Sequence, residues 1–134
     1  MALYIPDVGE VALWKRALGQ ATNGNMTLKL YVNDYTPVAG STAANFTEMS
    51  TLGYAAKTLT AGSWVVTTIS NVASGTYAQQ TWTFTAGTAV IVYGYYIIEA
   101  GGVVCYAERF SSSQTVQYTG DAISITPVIT FTTA

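Results

Sequence analysis

The stretch AVIVYGYYIIEAGGVVCYAERF, Ala89 to Phe110, is the least polar part of the chain and restricts its fold more than any other. A membrane-spanning helix needs about 20 predominantly apolar residues. Residues 89–98 supply ten before Glu99 interrupts them, and Gly101-Gly102 then breaks the pattern. The run is dense in Val, Ile and Tyr, which suit the pleated surface of a strand, and Gly-Gly between two apolar runs signals a hairpin. With Gly101-Gly102 as a two-residue turn, Ala100 faces Val103, Glu99 faces Val104 and Tyr95 faces Glu108. Alternation along the first strand sends Ile91, Tyr93, Tyr95 and Ile97 to one side and Val90, Val92, Tyr96 and Ile98 to the other. Both sides are apolar, whereas an antiparallel strand at a surface keeps one side polar. The outer side therefore needs a cover, and the candidates are an N-terminal helix or a neighbouring subunit. Gly94, in mid-strand, marks a bulge or a close approach of another backbone.

The charges of this ribbon do not make a catalytic pair. Glu99 and Glu108 share a face but stand roughly 13 Å apart along the ladder, beyond the separation of about 5–9.5 Å at which glycosidase carboxylates work. Arg109 points away from Glu108, so all three read as solvated or locally paired strand charges. Cys105 is the one cysteine, and the chain has no histidine to activate it. It reads as a small buried apolar group. The lack of histidine also removes the commonest metal ligand and general base. Asn33 and Asp34 lack the dense oxygen set of a calcium loop and read as backbone-capping residues. A hydroxyl beside Lys15, Lys29 or Lys57 is the one catalytic arrangement left open. The expectation is a protein that is not an enzyme, with no catalytic residues, no cofactor and no metal.

The rest of the chain reads as one domain over residues 1–134, with an arm and helix at 1–19 and a β-rich body at 26–134. Asp7-Val8-Gly9-Glu10 has the form of a capping box. Val11, Trp14 and Leu18 then follow as one stripe of a helix over residues 7–18, with Gly19 as its stop. Lys15 and Arg16 fall in the last turn, where the helix dipole favours cations. The apolar arm, residues 1–6, contains Leu3-Tyr4-Ile5. Strands are expected at 27–33, 46–49, 54–59, 63–70 and 76–85. In the first of these Leu28, Leu30 and Val32 point inward and Thr27, Lys29 and Tyr31 outward. Residues 38–45 read as an exposed loop of small residues and 71–75 as turn-like. A second hairpin joins 116–118 to 123–126, and a last strand covers 128–133. Short strands at this spacing, about eight or nine in number, imply a mainly β fold: an antiparallel, jelly-roll-like β-sandwich behind one short N-terminal helix.

Composition narrows the function. Only 9% of the 134 residues are charged, against a usual share of about 25%, and a surface so poor in charge is commonly one that meets other protein. The net charge of −2, with five scattered cations, gives no footprint for nucleic acid. The start, MALYIPDVGE, has no basic region followed by a long apolar core and does not read as a secretory signal.

Taken in order, GEVALWKRAL, LKLYVNDYTP, FTEMSTLGYA, VYGYYIIEAGGVVCYAERF and TGDAISITPVITFT resemble small structural proteins of tailed bacteriophages, of the capsid cement or decoration type, over most of the chain. The resemblance implies a β-sandwich on the capsid surface of a virion. Its partners would be the major capsid protein and further copies of itself, a trimer rather than a dimer, with neither nucleic acid nor a membrane. It supplies no catalytic residue. Interface hot spots favour Trp and Tyr, which makes Tyr4, Trp14, Tyr95 and Tyr96 the contact candidates. For each, burial in the chain's own core is the competing reading. The other use for so many aromatics is a tail- or fibre-borne receptor or carbohydrate-binding module, with Trp64 or Trp82 as the stacking platform. The alternation that sets Trp82 beside Phe84 favours the core for Trp82.

Overall fold

In the computed structural model, which describes residues 4–131, one helix, α1 (Asp7–Ala17), precedes nine strands among the described residues. These are β1 (Met26–Tyr31), β2 (Lys57–Leu59), β3 (Val65–Ile69), β4 (Val72–Thr76), β5 (Gln80–Thr83), β6 (Val90–Ile98), β7 (Val104–Val116), β8 (Ala122–Ile125) and β9 (Val128–Phe131). Residues 1–3 of the expected arm and residues 132–133 of the expected last strand lie outside the described part. The fold is mainly β, and every strand pairing is antiparallel. The strands form sheets in the orders β2-β1-β6-β7, β3-β4-β9 and β5-β8. No helix among the described residues is long and apolar enough to cross a membrane.

β6 and β7 are the hairpin that the Gly-Gly signal implies, with Tyr95 opposite Glu108. Its connection is one residue longer than a two-residue turn: Glu99 N–H donates to Val103 O (3.0 Å) and Gly102 N–H to Glu99 O (2.9 Å). A bulge then sets Ile98 opposite Val104 and Ile97 opposite Tyr106, so Cys105 is the extra residue and the register recovers. A second irregularity leaves residues 110–113 of β7 opposite Tyr93 alone. It reverses the alternation. Val92 lies on the side of Tyr95 and Ile97, and Tyr93 on the side of Tyr96 and Ile98. The expected grouping of Tyr93 with Tyr95, and of Val92 with Tyr96, is thereby corrected: the register shift here is three residues, and an odd shift flips every side chain beyond it.

Each face of the ribbon is covered by the chain itself. On one face Val92, Tyr95, Ile97 and Tyr106 join Leu28, Leu30 and Leu59 of the same sheet, Trp82, Ile123 and Ile125 of the β5-β8 sheet, and Ile129 of β9. All three sheets thus contribute to one apolar cluster. On the other face Tyr31, Tyr96, Val104 and Ala107 pack with Phe46 and Tyr35. Phe46 stacks on Tyr96 (4.7 Å between ring centres) and meets Tyr31 and Tyr35 edge-on. The N-terminal helix, one of the two expected covers, does not occupy this face. Tyr35 and Phe46 do so, one on each side of the expected loop; residues 38–45 are exposed as expected apart from Ser41, and the segment is tied down at both ends. Asn33 accepts from Thr47 N–H and donates to Asn45 O (2.7 and 2.9 Å), and buried Ser41 bonds the Tyr35 hydroxyl and Val38 N–H (2.7 and 2.8 Å). Tyr31, expected outward, is consequently buried.

α1 docks instead along the edge of β7. Its buried residues are Gly9 and Ala12, one small face that lets two backbones approach. A Cβ on Gly9 would lie 2.7 Å from Val104 O and 2.8 Å from Cys105 O. Asp7 is the first helical residue and not the cap: Pro6 holds the cap position, and no side chain among the described residues bonds the free N–H groups there. At the other end Gln20 N–H donates to Lys15 O (2.7 Å) and Gly19 N–H to Arg16 O (3.1 Å), the paired bonds of a Schellman stop. Before the helix, Tyr4 and Ala107 exchange backbone hydrogen bonds (2.7 and 2.9 Å), which adds a short rung to the outside of β7.

Candidate functional site: the outward face of the helix

The polar groups of the ribbon are engaged in holding the fold. Glu99 forms an ion pair with Arg16 of α1. Glu108 accepts from the Tyr95 hydroxyl (2.7 Å). Arg109 pairs with Asp34 (2.6 Å), donates to Tyr35 O (3.1 Å) and lies over the Tyr93 ring. Burial pushes the Cys105 thiol up from its ordinary value, against the opposing pull of the Arg16 charge, so its proton is held at neutral pH. Burial likewise raises the Tyr31 and Tyr96 hydroxyls to about 12, and those of Tyr54, Tyr95 and Tyr106 further. For Tyr95 the hydrogen bond to Glu108 adds to the effect. Of the three lysines, Lys29 binds Glu48 (2.7 Å), Lys57 sits over the Trp82 ring and Lys15 is exposed on α1. Among the described residues no three acidic or cysteine side chains gather as a metal set.

The four contact candidates divide by location. Tyr95 and Tyr96 are 5% and 4% exposed and belong to the two apolar clusters, so they are committed to the chain's own interior. Tyr4 and Trp14 are at the surface, Trp14 at 66%. With Trp14 come Val11 (54%) and Leu18 (65%), which sequence reasoning assigned to the same stripe without singling them out as contacts. The stripe exists as expected and faces water. Amphipathic spacing reports that one side of a helix is apolar, and does not say which side docks. Here the small residues decide: Gly9 and Ala12 lie on the opposite side, and only that side can reach the β7 backbone. The signal was present in Gly9 and Ala12 as a three-residue spacing of small side chains.

Beside the stripe runs an open groove of about 610 Å³ between α1 and the hairpin turn, lined by Val8, Val11, Ala12, Lys15, Glu99 and Val103 among others. A second apolar surface lies on β3, where Val65 and Val66 are exposed, next to a smaller hollow of about 210 Å³ walled by Trp64, Tyr106 and Ile129. Trp82, named as a stacking platform, is buried and donates its indole N–H to Ala55 O (2.7 Å). Trp64 is half-buried and packs edge-on against Tyr77. The chain matches no protein-family model, no curated protein and no solved structure.

Proposed function

We propose that this protein is a non-enzymatic structural component of a virion, a cement or decoration protein that stabilises an assembled bacteriophage head shell as a homo-oligomer, a trimer by preference. The finer fold reading that goes with it is a jelly-roll-like sandwich, supported by the single apolar cluster to which all three sheets contribute. The observation that carries an assembly role is the outward stripe of Val11, Trp14 and Leu18 on a helix already fixed to the body. Large apolar side chains aligned at the surface and rimmed by polar residues mark sites that meet another molecule. The exposed valines of β3 give a second, separate surface, as a protein that touches both its own copies and a shell requires. Such a protein works by mass action: it binds the assembled lattice and not the free subunits, and so shifts the balance toward assembly. Several copies held together release slowly even when each contact is modest.

Mass spectrometry of purified particles tests the assignment. The expected result is this chain in fixed stoichiometry with the shell subunit, and lower heat resistance in shells that lack it. Its absence from particles, or equal heat resistance with and without it, overturns the reading.

A further inference from the structure

Of the twelve charged side chains (seven acidic, five basic), nine have a partner inside the chain. Arg16 pairs with Glu99, Lys29 with Glu48 and Arg109 with Asp34. Glu108 holds the Tyr95 hydroxyl, Asp121 accepts from the N–H groups of Gln117 and Tyr118, and Lys57 lies over Trp82. The three without a partner among the described residues are Asp7, Glu10 and Lys15, all exposed and all on α1. Unmatched charge therefore sits on the same short helix as the unmatched apolar stripe.

Their spacing selects an occupant. Val11, Trp14 and Leu18, at intervals of three and four, are the a, d and a positions of a heptad, which puts Glu10 at g and Lys15 at e. When two such helices run parallel, g of one meets e of the other five residues further on. Glu10 then faces Lys15 of the other copy on each side of the seam. Antiparallel pairing sets g against g and e against e, which opposes Glu10 to Glu10 and Lys15 to Lys15. We propose that the outward face of α1 docks another copy of this chain, helix parallel to helix about a rotation axis running along α1. Val11, Trp14 and Leu18 fill the seam, and Glu10–Lys15 pairs flank it. Asp7, the preceding d position, stays in water at the open N-terminal end.

An isolated helix of this length, about 16 Å, is marginal in water. α1 is already held by its contact with the β7 backbone and by the Arg16–Glu99 pair, so docking has little ordering left to do. Val8, at the preceding e position, extends the exposed apolar area beside the seam. This inference rests on reading the stripe as an interface and not on the virion assignment; a self-associating protein with no place in a particle would leave it standing.

Sedimentation velocity of the full chain over a concentration series, with disulfide cross-linking of Val11→Cys and Leu18→Cys separately, tests the proposal. The native Cys105 is fully buried and does not compete. We expect a concentration-dependent oligomer, weakened at least tenfold by Trp14→Glu, and self-cross-linking at both cysteines, because like positions meet along a parallel seam. Lys15→Glu should weaken association severalfold, and Glu10→Lys combined with it should restore it. Circular dichroism checks folding in each variant, since every substituted side chain points outward. A monomer throughout the range, an oligomer indifferent to Trp14→Glu, or cross-linking at only one of the two positions overturns the proposal.

Discussion

A methyl group at Gly9 would sit 2.9 Å from Cys105 Cα and closer still to two carbonyl oxygens, inside any normal contact distance. The same test at Gly94 gives a tighter result: a Cβ there would overlap Glu108 O and approach the Tyr31 ring at 2.7 Å. The two glycines differ in what can yield. At Gly9 a helix can slide outward along a sheet edge, while at Gly94 the neighbours are a paired strand and a side chain in a closed aromatic cluster. Gly9→Ala should therefore lower stability by about 1–3 kcal/mol, the usual cost of overpacking, and Gly94→Ala by more. Urea unfolding of both variants checks the order, and a Gly94→Ala protein as stable as the parent would refute the account of the bulge. Leu52 is a further strained position: its φ of 57° is unusual for a branched apolar residue, and its buried side chain lies under Gly87, where a Cβ would come within 2.5 Å of it.

Among the elements, the β3–β4 hairpin shows how local chemistry sets a turn. Ile69 and Val72 pair across a two-residue loop, and Ser70 and Asn71 both have positive φ, 51° and 65°. That is the pattern of a type I′ turn, which favours Asn-Gly. Replacing Ser70 by Asn and Asn71 by Gly should raise stability by about 0.5–1 kcal/mol, read as a higher denaturant midpoint at unchanged slope. β4 itself was not legible in the sequence. VASGT lacks the β-branched density and alternation that mark a strand, and it is held as one by pairing with β3 on one side and β9 on the other. The β6–β7 hairpin was legible because its residue types and its Gly-Gly signal agree, and Tyr95 opposite Glu108 was right even with a turn one residue too short, since the Cys105 bulge absorbs the difference. The second expected hairpin was not right: β8 pairs with β5, a partner far away in sequence. The existence and approximate length of α1 followed from its spacing. The side that docks did not, because it depends on a backbone contact that no periodicity records.

At the scale of the whole molecule, the aromatic interior sets a limit at high pH. Tyr31 and Tyr96 are raised to about 12, chiefly by burial, against an ordinary value of about 10. A phenol is neutral when protonated, so above pH 10 the unfolded chain loses protons that the folded chain retains. Stability is full below pH 10 and falls as pH rises through 12. Titration followed by tyrosinate absorbance and circular dichroism should show ionisation of these residues and loss of structure as one event. Separate events would mean that the rings are open to water. Asp121 works in the opposite direction: its carboxyl is held below the usual value by two backbone N–H bonds, so its contribution is present above about pH 4 and is lost on acidification. One consequence of the Tyr4 rung remains. β7 is the outermost strand of the largest sheet, and the rung occupies the amide and carbonyl of Ala107 that would otherwise accept a foreign strand. A protease that clipped the chain just before the helix would strip that strap away, and a bared strand margin has no built-in stopping rule: damaged copies would join side by side into open-ended fibres.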